Sequence, residues 1–216
     1  ITNSTAYTFS VFVKANGYDK LHLRYGGYNA DNHGLGYDLS DGTTFAGRFD
    51  GTGLIGGVTS SSMIAYPNGW YRCSFTFTTA ADAASSAAGM FYYISNSEAT
   101  TNFAGDGSSG MYFWGAQMEV GDFPTSYIPT SGSTVTRDDD DAVIKGTNFS
   151  DIYNETEGTI FAEFNTKVNT GTTSKFAISL RDPANNDNYI AVKTYAANLN
   201  ALVVKSGGSS VAEVTV

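Results

Sequence analysis

The first 120 residues contain short segments in which apolar and polar side chains alternate, separated by turns rich in Gly, Asn and Asp. Lys20 to Tyr25 (KLHLRY) is the clearest case, with its Leu and Tyr side chains on one face and His22 and Arg24 on the other. A period of two residues is typical of a half-buried strand. The pattern predicts eight strands, over residues 7–14, 20–25, 36–39, 43–49, 54–58, 70–78, 89–95 and 111–119. Short strands at this spacing indicate an antiparallel β-sandwich of the jelly-roll type.

The pattern changes near residue 130. Residues 120–136 (VGDFPTSYIPTSGSTVT) hold two of the four prolines and a cluster of Ser, Thr and Gly, which is typical of a connector. Further strands are predicted over residues 158–167, 174–180, 188–194, 199–205 and 211–216. Five strands in about 80 residues hardly make a closed two-sheet core. We therefore predict a complete jelly roll over residues 1–130 and an incomplete second sandwich over residues 131–216.

Composition supports an all-β fold. Only 15% of the residues are charged, whereas 14 Tyr, 14 Phe and 24 Gly are present. Aromatic side chains pack well on pleated sheets, and no segment shows the 3.6-residue apolar period of a helix. The net charge of −9 argues against a nucleic-acid partner, since phosphate binding needs clustered Lys and Arg. No apolar run approaches the roughly 18 residues of a membrane span, so we expect no membrane insertion.

The acidity has two explanations, solubility and the binding of a cation. Asp138 to Asp141 is a run of four acids, and Ca²⁺ prefers six to eight oxygen ligands. Asp138 and Asp140 are therefore candidate ligands of a structural calcium ion. However, the run lacks the alternating acidic spacing that wraps a loop around calcium, which favours a solvated charged patch. No other cofactor is predicted.

Catalytic patterns are missing from the sequence. Cys73 is the single cysteine, and His22 and His33 stand apart from each other without zinc-ligand spacing. Cys73 lies in an aromatic-rich strand, where a buried and inert thiol is expected. Gly105 to Gly110 joins two predicted strands, which indicates a hairpin loop and not a phosphate cradle. No pair of carboxylates suits glycoside hydrolysis. The sequence therefore predicts a protein that is not an enzyme.

Aromatic residues fall into two groups by position. Those within strong strands are expected in the core, namely Phe9, Trp70, Phe75, Phe77, Phe91 and Trp114. Those beside turn residues are less easily buried, namely Tyr18, Tyr28, Tyr37 and Tyr66. Residues 25–33 (YGGYNADNH) combine two Tyr with amide and acid groups, as a sugar-binding loop does. The alternative is an ordinary tyrosine-rich loop.

One block of the sequence is distinctive, namely residues 114–130 (WGAQMEVGDFPTSYIPT). Together with residues 69–72 (GWYR) and 134–137 (TVTR), it resembles a module of bacteriophage tail-fibre and other virion proteins, especially those of marine phages. That module is similar to carbohydrate-binding jelly rolls and is commonly followed by a concanavalin A-like (laminin-G-like) sandwich. The opening of that second domain resembles residues 149–164 here. Where such proteins have Arg followed by Ala, Ala and Asp, this chain has Arg137 and four Asp.

The resemblance implies a virion appendage, a tail fibre in the first instance, that lies outside the cell and recognises a host-surface glycan. It also implies contacts with other virion proteins and assembly as a homotrimer. Two alternatives stay open. One is a structural decoration or adaptor protein of the virion that has no ligand. The other is the accessory carbohydrate-binding module of a secreted enzyme that degrades polysaccharides.

Five residues are the candidate carbohydrate-binding residues, because alternation places them off the core face or turns place them in loops: His22, Arg24, Tyr28, Tyr37 and Arg48. Trp114 is expected to plug the core at the last strand of the jelly roll. The pairs Phe123-Pro124 and Ile128-Pro129 are expected to stiffen the exit, since a residue before proline prefers an extended conformation.

Overall fold

A computed structural model describes most of the chain, and its fold is all-β, as the sequence predicts. The described residues are 1–26, 32–49, 51, 53–81, 83, 88–136, 142–154, 156–159, 161, 163, 175–181, 187–194 and 200–215. All pairings between the named strands in these residues are antiparallel. The chain divides into two compact units, Ile1–Asp138 and Asp139–Val216.

The first unit is a jelly-roll-like sandwich of two four-stranded sheets. Sheet I has the strand order β10 (Gly110–Val120), β1 (Ala6–Asn16), β8 (Trp70–Thr78) and β7 (Val58–Tyr66). Sheet II has the order β4 (Thr43–Phe45), β3 (Asn32–Asp38), β2 (Lys20–Gly26) and β9 (Gly89–Ser95). Strands β5 (Arg48–Phe49) and β6 (Gly53–Leu54) pair with each other in a separate two-stranded sheet.

The core lies between the two sheets and follows the predicted alternation. Leu21 and Leu23 of β2 are fully buried, as are Phe75 and Phe77 of β8. The remaining buried apolar members of this cluster are Tyr7, Phe9, Val11, Val13, Tyr25, Tyr37, Leu39 and Cys73. Cys73 is fully buried, as expected, and this burial raises the pKa of its thiol.

Strand β7 is the one strand of sheet I that the sequence pattern does not predict. Its sequence VTSSSMIAY has three consecutive serines and no alternation of apolar and polar residues. The strand forms because a tight turn at Pro67–Gly69 folds it back against β8, with Tyr66 paired to Trp70. Asn68 and Gly69 both have positive φ, at 63° and 76°, a conformation that Asn and Gly tolerate best.

The distinctive block after residue 113 forms the edge strand β10 and a returning segment. Gly115 has a φ of +60° and lies at a bulge in the pairing of β10 with β1. A Cβ atom at Gly115 would lie 3.2 Å from the Phe12 ring and 3.4 Å from the Tyr127 ring. Residues 121–128, here called the strap, then run over the outer face of sheet I, the face that points away from the core.

Polar side chains of sheet I hold the backbone of the strap. Arg72 donates from Nη2 to the carbonyl oxygen of Thr125 at 2.6 Å. The Gln117 side chain accepts from the Ile128 backbone N–H at 2.8 Å. The Glu119 carboxylate accepts from the Thr125 backbone N–H at 3.0 Å and from its hydroxyl at 2.6 Å. The Arg72 contact joins residues 69–72 (GWYR) to the block at residues 114–130, so the two segments form one hydrogen-bonded arrangement.

The second unit contains a four-stranded meander in the order β11 (Lys175–Arg181), β12 (Tyr189–Thr194), β13 (Asn200–Ser206) and β14 (Ser209–Thr215). The described residues of this unit also include a short helix, α1 (Thr147–Ser150). Its small core consists of Tyr189, Ala191, Ala201 and Val203. The strand predicted over 158–167 falls mostly outside the described residues, and no strand is found at the described residues 158, 159, 161 and 163.

Candidate functional site

The outer face of sheet II brings together three of the five predicted site residues. His22 and Arg24 alternate with the core leucines along β2 and therefore point away from the core. The register with β9 places Tyr93 opposite His22 and Phe91 opposite Arg24. Arg48 belongs to β5, which approaches the same face.

Two glycines in β3 allow the chain to cover the middle of this face. Gly34 and Gly36 lie opposite Arg24 and His22 in the register with β2. A Cβ atom at Gly34 would lie 2.5 Å from the Ile55 side chain, and one at Gly36 would overlap the Phe45 ring. Because these glycines have no side chains, Phe45 and Ile55 pack directly onto sheet II, and Ile55 is buried.

His22 is fully buried beneath this cover, so the expectation that it is exposed on the outer face is wrong. Its Nδ1 accepts from the Arg48 backbone N–H at 3.2 Å, which places the ring proton on Nε2, 3.4 Å from the Ser97 carbonyl oxygen. The Phe45 ring packs edge-on against it at 5.0 Å. Burial lowers the pKa of His22, so the neutral ring acts as a structural hydrogen-bonding group.

Arg24 lies at the border of the cover, where its guanidinium is held from several sides. The centre of the guanidinium is 4.5 Å from the Phe49 ring and 5.1 Å from the Phe91 ring. Nε and Nη2 both donate to Oδ1 of Asn32, Nε at 2.8 Å. Nη1 makes a long contact of 3.5 Å with the Tyr93 hydroxyl. We call these five residues the Arg24 cluster.

The Arg24 cluster is partly open to solvent. Phe91 is 42% exposed, and the expectation that it belongs to the core is wrong because its position in β9 points outward. Tyr93 stacks beside Phe91, with ring centres 6.4 Å apart and planes 20° apart. A Cβ atom at Gly26 would lie 2.8 Å from the guanidinium carbon of Arg24. Glycine at residue 26 therefore gives the arginine room to lie flat along the sheet.

Arg48 adds a second guanidinium to the same face. Its Nε donates to the Glu98 carbonyl oxygen at 3.0 Å, and its side chain is partly exposed. Lys20, further along β2, is paired with Asp38 at 2.9 Å and with Asp19 at 3.0 Å. The face therefore carries three cationic side chains, of which Lys20 is neutralised by adjacent carboxylates.

The remaining predicted site residues do not join the cluster. Tyr37 lies in β3 and is fully buried, so the expectation that a turn places it in a loop where it is not easily buried is wrong. Its hydroxyl donates to the Ser74 carbonyl oxygen at 2.7 Å, which satisfies the polar group within the core. Tyr28 lies outside the described residues, as do Asp138 and Asp140. The described residues contain no group of three or more His, Cys, Asp or Glu side chains that could hold a metal ion.

A second exposed surface lies on the outer face of sheet I, beside the strap. Tyr66, Phe12, Trp114 and Tyr127 form a continuous line of rings with centres 5.2, 5.1 and 4.8 Å apart. We call this line the aromatic row. Trp114 is 56% exposed, so the expectation that it plugs the core is wrong. The side chain leaves the core because Trp114 pairs with Phe12, which also points outward.

A small apolar cleft opens between the edge strands β9 and β10, where neither sheet has a further strand. Its volume is about 370 Å³, and it is lined by Val11, Tyr92, Phe113, Trp114, Gly115 and Ala116. Tyr92 and Phe113 meet across it with ring centres 5.5 Å apart, and each is about two-fifths exposed. The cleft has no charged lining residue, which distinguishes it from the Arg24 cluster.

Sequence reasoning missed Phe49, Phe91, Tyr93 and Asn32 as neighbours of Arg24. The alternation in β9 puts Phe91 and Tyr93 on one face, but only the pairing of β9 with β2 shows that this face is the one with Arg24. The arrangement as a whole offers an exposed ring, a fixed cation, an amide and a phenol within one surface. An exposed ring beside fixed hydrogen-bonding groups is typical of sites for ligands that have both apolar and polar groups.

Within the described residues, no helix is long and apolar enough to cross a membrane. When the chain is compared with models of protein families and with curated proteins, no family model and no curated protein matches it.

Proposed function

We propose that the chain is a non-catalytic part of a bacteriophage virion, of the tail-fibre type, and that it binds a host-surface glycan through the Arg24 cluster. The virion assignment rests on the resemblance carried by residues 69–72 and 114–137. Under this proposal the protein is displayed on the outside of the virion, among other virion proteins and copies of itself in a trimer. The glycan assignment has a separate, physical basis.

The observation that supports glycan binding is the juxtaposition of the exposed Phe91 ring with the fixed polar groups of Arg24, Asn32 and Tyr93. A sugar ring has an apolar face of C–H groups and a rim of hydroxyls. An exposed aromatic ring offers contact area to the C–H face. The guanidinium, amide and phenol offer hydrogen bonds to the rim. Because Phe49 and Gly26 hold Arg24 in place, little conformational entropy is lost when a ligand binds.

An array of bacterial surface glycans, probed with the full chain, tests this proposal. We expect binding to at least one glycan, and a loss of about tenfold in affinity for Phe91→Ala, since a ring contact contributes about 1 kcal/mol beyond its buried area. Phe161→Ala is the matched control, because Phe161 is also exposed but lies in the second unit. A blank array, or equal binding by Phe91→Ala and the parent chain, contradicts the proposal.

A second candidate function is a structural virion protein without a ligand. The observation in its favour is the apolar character of the outer face of sheet I, where four large side chains are 43–56% exposed: Ile64, Tyr66, Tyr112 and Trp114. Exposed apolar patches of this kind mark surfaces that bind other proteins. This candidate predicts self-association of the full chain that is weakened by Tyr66→Ser combined with Tyr112→Ser, as measured by light scattering, together with a blank glycan array.

A further inference from the structure

We infer that the Arg24 cluster selects an acidic sugar, one that carries a carboxylate, over the corresponding neutral sugar. This inference rests on the proposed glycan-binding function and specifies its ligand class. It follows from how the few cations of the first unit are distributed and from how one of them is held.

Positive charge is scarce in the first unit and is concentrated on one face. The first unit, Ile1–Asp138, contains six basic residues against eleven acidic ones. Five of the six basic residues are described, namely Lys14, Lys20, Arg24, Arg48 and Arg72. Three of the five, Lys20, Arg24 and Arg48, lie on the outer face of sheet II. Because Asp19 and Asp38 neutralise Lys20, the positive charge that this face offers to an anion is that of Arg24 and Arg48.

Arg24 differs from Lys20 in its partners. Lys20 lies within 3.0 Å of two carboxylates, whereas no carboxylate of the described residues lies within 4.0 Å of Arg24. The partners of Arg24 are the neutral Asn32 amide, the neutral Tyr93 phenol and two aromatic rings. The guanidinium is therefore a positioned cation whose charge is not balanced by any described carboxylate.

The same contacts leave part of the guanidinium directed away from strong partners. Asn32 takes the Nε and Nη2 donors, whereas the Nη1 contact with Tyr93 is long, at 3.5 Å. Rings near the guanidinium exclude water, so an ion pair formed there is screened less than one on an open surface. A planar guanidinium suits a carboxylate better than an ammonium does, since it offers directed N–H donors.

Phe91 explains why the anion would belong to a sugar. Its exposed ring lies 5.1 Å from the guanidinium centre, so a sugar that contacts the exposed part of the ring lies close to the cation. A free inorganic anion makes no use of that ring. A neutral sugar uses the ring but leaves the charge of Arg24 without a counter-ion.

Calorimetry with two forms of one polymer tests the inference directly. Polygalacturonate carries a carboxylate on each sugar, and its carboxyl-reduced form carries a hydroxymethyl group in the same place. We expect the full chain to bind the acidic form about tenfold more tightly or better, since hydrogen bonds to charged groups are the strong ones. We also expect this preference to shrink as salt is raised.

Two variants assign the preference to Arg24. Arg24→Gln is expected to abolish it, because the substitution lowers the affinity for the acidic polymer about tenfold more than the affinity for the reduced polymer. Lys14→Gln removes the same charge from sheet I and is expected to keep the preference in full. Equal affinity of the parent chain for the two polymers, or a preference that survives Arg24→Gln, overturns the inference alone. If neither polymer binds and the glycan array is also blank, the proposed function fails with it. If neither polymer binds but a neutral glycan on the array does, only the inference fails.

Discussion

The outer faces of the two sheets are both partly covered by the protein's own chain, but the covers are held in different ways. On sheet II, the glycines of β3 have no side chains, and the apolar residues Phe45 and Ile55 fill the space that side chains would occupy there. On sheet I, polar side chains such as Arg72 and Glu119 reach outward and bind the backbone of the strap. One cover is therefore held by close packing and the other by hydrogen bonds.

The uncovered parts of the two faces differ as well. Sheet II leaves a fixed cation beside an exposed phenylalanine, whereas sheet I leaves the aromatic row, and the cation over its Phe12 ring, Arg72, is buried. A mixed polar and aromatic surface suits a hydroxylated ligand, and an aromatic surface suits a protein partner. The comparison thus separates a candidate ligand face from a candidate assembly face within one sandwich.

The largest effect is expected from adding one methyl group beneath the cover of sheet II. In Gly34→Ala the new Cβ would meet the Leu23 backbone carbonyl and the Ile55 side chain, so the strand pairing or the cover has to shift. We expect the free energy of unfolding to fall by about 3 kcal/mol, the upper end of the usual cost of overpacking. Gly56→Ala is the control, because nothing lies within 4 Å of its Cβ position. Equal stability of the two variants in urea denaturation would show that packing does not hold this cover.

A smaller loss is expected when the hydrogen-bonded cover is released. Glu119→Ala leaves the backbone N–H and hydroxyl of Thr125 without their acceptor, which costs about 2 kcal/mol for bonds to a charged group. Hydrogen exchange of the strap is expected to rise in the same variant. Glu98→Ala removes an exposed carboxylate from the loop after β9 and serves as the control. Unchanged hydrogen exchange of the strap in Glu119→Ala would show that Glu119 does not hold it in place.

The sequence predicts much of this fold because the period of two is a local signal. The predicted strands 70–78 and 89–95 coincide with β8 and β9, and Leu21 and Leu23 are buried as alternation requires. Which side chains are exposed depends on what covers the second face of each sheet, and that is not local. His22 is buried because Gly36 lets Phe45 approach, and Trp114 is exposed because it pairs with the outward-facing Phe12.

The same cover gives the stability a dependence on pH. Burial lowers the pKa of His22 below its ordinary value of 6.5, so near that pH the unfolded chain binds a proton that the folded chain does not. The free energy of unfolding is therefore expected to fall as the pH drops through about 6.5. In His22→Asn the side-chain oxygen replaces Nδ1 as the acceptor for the Arg48 N–H, and this part of the pH dependence is expected to vanish. Urea titrations of the parent chain and of His22→Asn at a series of pH values around 6.5 check this prediction. An equal dependence of the free energy of unfolding on pH in the two chains would contradict it.

The smallest effect is expected on the uncovered part of sheet I. If Trp114 plugged the core, Trp114→Ala would cost about 3–5 kcal/mol, as large-to-small changes in cores do. Because the Trp114 side chain is 56% exposed, Trp114→Ala loses only the ring contacts with Phe12 and Tyr127. We therefore expect the free energy of unfolding to fall by about 1 kcal/mol. Phe75→Ala, at a fully buried position, provides the core reference in the same denaturation experiment. A Trp114 variant as unstable as the Phe75 variant would mean that the aromatic row supports the sandwich itself. A loss of stability in Trp114→Ala that is several-fold smaller than the loss in Phe75→Ala means that the rings of the aromatic row are free to serve an interface.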